Sequence, residues 1–567
     1  MPYRAPVEDI RFVLDHIAPF GAVVGSPQFP DLDRDTAMAV IEEAGRLASD
    51  VIAPIDRAGD LNPARLENGK VKSSPGFADA YTQIAEGGWM GMLAGEEHGG
   101  MALPLTLATA VNEMMSGACL SLALNPLMSQ GQIEALENHA SDELKSLYLP
   151  KLISGEWCGT MNLTESGAGS DVGALRTKAE PNGDGTYAIT GQKIFITWGD
   201  SDFSKNICHL VLARLPDGQE GTKGISLFMV PKYLLDENGE PGEENTLRVV
   251  SLEHKLGIHG SPTCVMEYEG ATGWLVGEEH SGMKAMFTMM NNARLGVGVQ
   301  GVGIAEAATQ KALGYACDRV QGRSPVADGT GAIVDHADVR RMLAAMRADT
   351  FVARAISLSC AVALDRGRSE PDQAARGAFL IPVAKAFSTD IGHEIAQSGV
   401  QVHGGMGYIE ETGAAQYARD ARITSIYEGT NGIQAMDFVG RKLMDGGDAA
   451  FGLLDEIEAF AENVRGELPE LAEPVWSAAE TLREAVEGML SLDMNDRFGC
   501  AVPYLRAFAR VLGGYFHLKA AKADPNRARL AAFYIHRVLP EFAGLLAQTK
   551  RGSADLYAIT LDDLAAG

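Results

Sequence analysis

From Trp157 to about Gly277 the sequence alternates apolar with polar residues and is rich in β-formers, while the residues on both sides follow a helical period. No other feature constrains the fold as much. Tyr187–Thr197 reads as strand, tight turn, strand. Ile207–Ala213, Ile225–Val230, Leu247–Val250 and Cys264–Tyr268 are further strand candidates, separated by loops rich in Gly, Pro, Asp and Asn. No helical pattern alternates with them, which excludes a nucleotide-binding βαβ sheet. The chain is therefore mainly α, with a middle antiparallel β-domain.

Upstream, Met38, Val40, Ile41, Ala44, Leu47, Ala48 and Ile52 recur at helical spacing between charged residues, and Thr106–Met115 and Asp142–Ile153 look similar. Downstream, Ala305–Ala316, Val339–Ala363, Phe387–Gln397 and Ala414–Arg422 predict helices, with a glycine break at Val402–Gly407. From about Ala449 the pattern is again helical: Leu505, Phe508, Leu512 and Tyr515 share a face, and Pro540 should kink or end a later helix. The expected domains span residues 1–156 (helical), 157–278 (β), 279–445 (helical) and 446–567 (helical extension), in keeping with a chain of 567 residues.

The formal net charge of −27 argues against nucleic acid or an anionic membrane as partner. It leaves room for a phosphorylated ligand, which a few Arg, Ser and backbone N–H groups suffice to hold. The seven cysteines are scattered, with no Cys-x-x-Cys pair, so reduced thiols in a cytoplasm fit better than a disulfide framework or a zinc site. Charged residues interrupt Met1–Phe20, unlike a signal peptide, and no uninterrupted apolar run approaches bilayer length.

Two stretches point to chemistry. In Met161–Val172, Gly167, Gly169 and small neighbours let a backbone approach a ligand, and Thr164 and Ser170 add hydroxyls. This suits a pyrophosphate or a flavin edge; a plain turn in a β-domain has the same composition. In Arg422–Gln434, Glu428 stands among Ile426, Tyr427 and Gly429. Partial desolvation raises a carboxyl pKa and makes a better base near neutral pH. A Glu before Gly also serves to end helices.

Taken with Gly191–Gly199, Asn292-Ala293-Arg294, Arg319–Gly322, Gln401–Tyr408, Arg419–Arg422 and Ile426–Thr430, these stretches resemble, in order, the motifs of the acyl-CoA dehydrogenases across roughly residues 40 to 445. The C-terminal region and the Met1–Phe20 segment resemble a larger subgroup, the 3-methylmercaptopropionyl-CoA dehydrogenases of dimethylsulfoniopropionate demethylation. The resemblance implies a helical domain, a β-domain and a four-helix domain, with FAD between the latter two and partly held by a second subunit. Carried over, Leu163 and Thr164 bond the flavin ring, with Gly169 and Ser170 at phosphate groups of the cofactor or CoA. Phe195 packs on the flavin and Thr197 bonds near its N5. Arg319, Gln321, Gln401 and Gly405 reach the partner's FAD, and Thr430 touches the cofactor. Arg294, Ser170 and Tyr427 bind substrate. Departures from the family pattern are Phe195 where many relatives have Trp, Ser166 for Pro, Asn291 for Asp, Gly432 for Gln, and a shorter Arg319 segment.

The implied reaction is α,β-dehydrogenation of a short- or medium-chain acyl-CoA, with 3-(methylthio)propanoyl-CoA as the expected substrate. Glu428 takes the α-proton, and an electron-transfer flavoprotein is the expected acceptor. A homodimer is expected, with the extension covering helices that relatives bury in a tetramer. Alternatives are a straight-chain acyl-CoA dehydrogenase, an acyl-CoA oxidase, and a non-catalytic flavin or acyl-CoA scaffold, which would be expected to lack the carboxylate at position 428.

Overall fold

The alternating block folds into a seven-stranded sheet: β1 (Trp157–Asn162), β2 (Lys178–Pro181), β3 (Tyr187–Thr197), β4 (Asn206–Arg214), β5 (Ile225–Pro231), β6 (Leu247–Leu252) and β7 (Thr263–Val276). The structure is a computed structural model that describes residues 2–326 and 328–566, without the side chains of residues 288–292. The Asn291 position therefore lies outside the described side chains. The chain divides into two compact units. One, the sheet unit, comprises Glu43–Pro104 and Met114–Gly296; the other, the helical unit, comprises Met1–Glu42, Leu105–Glu113 and Val297–Gly567.

In the sheet unit the strand order is β6–β7–β3–β2–β4–β1, and β5 pairs with both β7 and β4. The path β7–β3–β2–β4–β5 thus closes on itself. Pairing is antiparallel except where β4 meets β1 and, at Lys178 and Arg214, β2. One core cluster contains Ile189, Ile196, Val211, Phe228, Val230 and Met266. A second gathers Leu210, Leu212, Leu227 and Met229 with Leu136, Leu149, Leu152 and Trp157. Strands β4 and β5 are buried on both faces, which is why they read as apolar runs and not as an alternation.

Two readings of the sequence change here. Tyr187–Thr197 is one continuous strand, not strand, turn, strand. Gly191 sits at φ +152°, and a Cβ there would lie 2.9 Å from Thr177 Cα, so this glycine permits a close crossing of two backbone segments. A 20-residue helix, α1 (Leu120–His139), had no counterpart among the predicted elements. Fifteen of its residues are buried, so it lacks the polar face that would reveal its period.

The helical unit takes α2 (Gly282–Asp318) from Val297 onward, then α3 (Ala337–Arg366), α4 (Pro371–His403), α5 (Ala414–Ala421) and α6 (Asn431–Gly440). The extension adds α7 (Asp448–Val464), α8 (Pro469–Ser491), α9 (Met494–Ala523), α10 (Ala528–Arg537) and α11 (Glu541–Thr549). Glycines set the α2–α4 crossing: a Cβ on Gly298 would lie 2.8 Å from the Ala384 carbonyl, and one on Gly301 2.3 Å from that of Ser388. On α9, Phe508 packs on Phe379 of α4 and Phe438 of α6, with ring centroids 5.2 and 5.6 Å apart. Arg510 of α9 pairs with Asp349 and Glu541, each at 2.6 Å.

Among the described residues one segment, Pro525–Thr549, has the length and mean hydropathy, 1.2, of a candidate bilayer span. Pro540 divides it into α10 and α11, of 10 and 9 residues, as its ring and missing N–H dictate. Each piece is shorter than the roughly 20 residues that a hydrocarbon core requires.

Candidate functional site

In the sheet unit, the loop leaving β1 runs Leu163–Ser170 and is tied to β3. The Ile194 N–H donates to the Thr164 carbonyl at 2.9 Å. Glu165 and Ala168 exchange backbone bonds of 3.2 and 3.0 Å. Lys193 is wholly buried, and its Nζ donates to the Leu163 carbonyl at 3.0 Å and to Glu165 Oε1 at 2.8 Å. Burial pushes the Lys193 ammonium down to about 8, against the pull of Glu165. For Glu165, burial is outweighed by Lys193, by Thr177 and by the Arg176 N–H, which together hold its carboxyl below the usual range.

The solvent-facing side of this loop is distinct. A Cβ on Gly167 or Gly169 would meet nothing within 4 Å. Leu163 and Thr164 are half-buried, while Gly169 and Ser170 are exposed. Phe195 adopts φ +61° and stands 58% exposed, a large aromatic presented to solvent from a strand. Three residues on, Trp198 has φ +52° yet is fully buried, its Nε1 donating to the Ser121 carbonyl at 3.1 Å. Thr197 lies between them, half-buried and paired with Thr263. Open space over two glycines, two hydroxyls and a bare aromatic face fit a planar ring carrying phosphate groups. Arg294 is buried on α2 in this same unit.

In the helical unit, Tyr427, Glu428, Gly429 and Thr430 form the turn that enters α6. Glu428 is half-buried at φ +54°, and Gly429 follows at φ +83°. The Thr430 hydroxyl caps α6 by accepting from the Ile433 N–H at 3.3 Å. Gln434 Nε2 donates to the Glu428 carbonyl at 3.3 Å. Lys385 Nζ donates to the Gly429 carbonyl at 2.9 Å and to Asn431 Oδ1 at 2.8 Å. The Tyr427 hydroxyl donates to Gln300 Oε1; burial, and then the neighbouring Glu428 charge, push its pKa well up.

The remaining predicted residues gather at one end of the helical unit, where Tyr315 of α2 stacks on His403 of α4 with centroids 4.4 Å apart. Arg319, Gln321, Gln401 and Gly405 are all exposed there. The Arg319 carbonyl accepts from the Ile333 N–H at 2.7 Å, and the Gln321 carbonyl faces His336 Nε2 at 2.7 Å. Val320, Met406 and Tyr408 are exposed in the same segments.

Family models for the acyl-CoA dehydrogenase N-terminal, middle and C-terminal domains match residues 34–156, 160–271 and 280–444. An acetyl-CoA dehydrogenase C-terminal-like model matches 453–560. The chain belongs to the acyl-CoA dehydrogenase family. As a member it is a flavin-dependent oxidoreductase acting on acyl-CoA thioesters. It is 46% identical to the 3-methylmercaptopropionyl-CoA dehydrogenase of Ruegeria pomeroyi over 93% of this chain and 92% of that one. A butyryl-CoA dehydrogenase of Syntrophomonas wolfei is 34% identical over 98% of each chain. The crystal structure of Caenorhabditis elegans ACDH-11 in complex with C11-CoA shares the fold, with a TM-score of 0.80 at 20% identity, covering 94% of this chain and 91% of that one.

Residue-type reasoning passed over Lys193, Glu165, Lys385, Asn431 and Gln434. A signal existed for Lys385, a lone cation in the apolar run Phe379–Phe387.

Proposed function

We propose that this acyl-CoA dehydrogenase converts 3-(methylthio)propanoyl-CoA to its 2-enoyl-CoA with FAD, and that Glu428 is the base. The observation that carries the substrate is the similarity to the Ruegeria pomeroyi enzyme over nearly all of both chains. Support for the base comes from the half-buried carboxylate at a left-handed turn, held by a buried polar network. Such backbone strain clusters at functional sites.

A thioester acidifies its α-carbon, and Glu428 takes that proton. The Glu428 N–H is suited to bond the thioester oxygen as negative charge develops there. FAD, when bound, supplies the acceptor for the β-hydride. Leu163, Thr164, Phe195 and Thr197 would hold its ring, and Gly169 and Ser170 would meet phosphate oxygens of FAD or CoA. Thr430 would meet the cofactor beside the base. Arg294 and Tyr427 would line the substrate side. Arg319, Gln321, Gln401 and Gly405 would reach the FAD of a second copy in a homodimer. An electron-transfer flavoprotein would reoxidise the enzyme in the cytoplasm, within dimethylsulfoniopropionate demethylation.

Anaerobic titration with a panel of acyl-CoAs tests the substrate. The expected result is preferential bleaching by 3-(methylthio)propanoyl-CoA; preference for butyryl- or octanoyl-CoA replaces it with a straight-chain substrate. Rapid peroxide formation in air would make the protein an oxidase. Glu428→Gln should bind substrate and reduce the flavin about 10²–10⁴-fold more slowly. Bleaching at the native rate removes Glu428 from the base role.

A further inference from the structure

The turn that carries Glu428 is strained. Two successive residues, Glu428 and Gly429, occupy the left-handed region, and only the second is a glycine. Such a conformation persists when its surroundings over-determine it. Here they do so through α4. Lys385, wholly buried, reaches the Gly429 carbonyl at 2.9 Å and Asn431 Oδ1 at 2.8 Å. Asn431 Nδ2 in turn meets the Ala386 carbonyl at 3.1 Å, Thr389 Oγ1 at 2.9 Å and Asp390 Oδ1 at 2.7 Å. The lysine sits where α4 is immobilised, because its neighbour Ala384 faces Gly298 across the glycine-lined crossing with α2.

Burying an ammonium is expensive, and a simple tie between two segments needs only a neutral donor. A charged donor binds a carbonyl more strongly, which suits a backbone held against its own preference. We propose that Lys385 is a positioning residue for Glu428: its ammonium holds the Gly429 carbonyl and so fixes the left-handed turn that aims the carboxylate. This rests on Glu428 being the base. Misplacing a reacting group by an ångström costs on the order of 10²-fold in rate.

The test is anaerobic stopped-flow reduction of the FAD-loaded enzyme by a saturating acyl-CoA, beside equilibrium binding of the enoyl-CoA product. Lys385→Met should lower the reduction rate constant about 10²-fold and leave product affinity within about threefold, a split that general unfolding would not give. Lys385→Gln keeps a neutral donor and should lose about tenfold; it replaces Lys385→Met if that variant does not fold. In a Glu428→Gln background, Lys385→Met should add less than about twofold, because it acts through the carboxylate. Hydrogen exchange of the 426–434 segment, read without substrate or cofactor, should be faster in Lys385→Met.

A native reduction rate in Lys385→Met, or in Lys385→Gln if only that variant folds, overturns the proposal. So does an undiminished Lys385→Met effect in the Glu428→Gln background. If Glu428→Gln alone reduces flavin at the native rate, the base assignment has failed, which is a separate and recognisable outcome.

Discussion

Among the described residues, each compact unit hides one wholly buried lysine beneath a loop of the candidate site, and the two are held differently. Lys193 in the sheet unit holds the Leu163 carbonyl and faces a carboxylate, Glu165. Lys385 in the helical unit holds the Gly429 carbonyl and faces an amide oxygen, that of Asn431. The first is bonded directly to its carboxylate; the second is a charged clasp on a strained turn, and the Asp390 carboxylate that it stabilises is bonded to the same Asn431. Removing a partner from a buried pair strands a charge and costs stability. Releasing a strained turn costs geometry, and with it rate. On the proposed reading, Lys193 keeps a loop folded and Lys385 keeps a carboxylate aimed.

The sharpest way to break that distinction is Lys193→Met. It should destabilise the sheet unit by about 3 kcal/mol, the low end for a stranded buried charge, because Glu165 keeps its bonds to Arg176 and Thr177. Denaturant unfolding of both methionine variants reads the contrast. Equal losses for Lys193→Met and Lys385→Met would erase it.

Acid gives a second contrast. His209 in the sheet unit and His517 in the helical unit are buried, and burial pushes each imidazole down to about 3. Both stay neutral in the folded state, while the unfolded chain takes up their protons below about pH 6.5. The unfolded state therefore binds more protons between about pH 6.5 and 3, and stability falls on acidification through that window. The slope is up to about 1.4 kcal/mol per pH unit for each histidine. Replacing His209 with Phe should flatten the slope for the sheet unit alone, followed by intrinsic fluorescence of a Trp476→Phe background, in which the remaining tryptophans (Trp89, Trp157, Trp198 and Trp274) all lie in that unit. An unchanged slope would show that His209 is solvated.

The smallest expected effect concerns Phe195, a side chain on a left-handed backbone. Phe195→Gly should leave the apoprotein unchanged or stabilise it by up to about 1 kcal/mol, since glycine relieves the positive φ. It should nevertheless weaken flavin binding, measured by FAD release on dilution. Loss of stability without loss of flavin would make Phe195 a structural residue.

The fold was most legible where one face of an element meets water, although the half-exposed helices Val7–His16 and Phe77–Glu86 were passed over. Asp142–Ile153 was read to its ends because Ser141 caps it and its buried and exposed positions keep a helical period. Leu120–His139 was not, because burial on nearly every side leaves no period to read. Gly191 misled for a related reason: a glycine required by the neighbouring segment at Thr177 looks like a glycine required by a turn. At the site, Glu428 stood out by residue type, and Phe195 only through the resemblance to a family motif. The left-handed backbone at Glu428 and the lysine beneath it did not, since that turn is held by contacts between α4 and the start of α6, some 40 residues apart in sequence.

The aromatic packing of Phe508 bears on modularity. Phe379 of α4 and Phe438 of α6 share that ring, so the extension completes the core on which the Glu428 turn is built. A chain shortened after Asp445 would uncover both phenylalanines at once. The last hundred-odd residues are thus no detachable appendage, and exchanging them between relatives of different length would require recutting the surfaces of α4 and α6 to match.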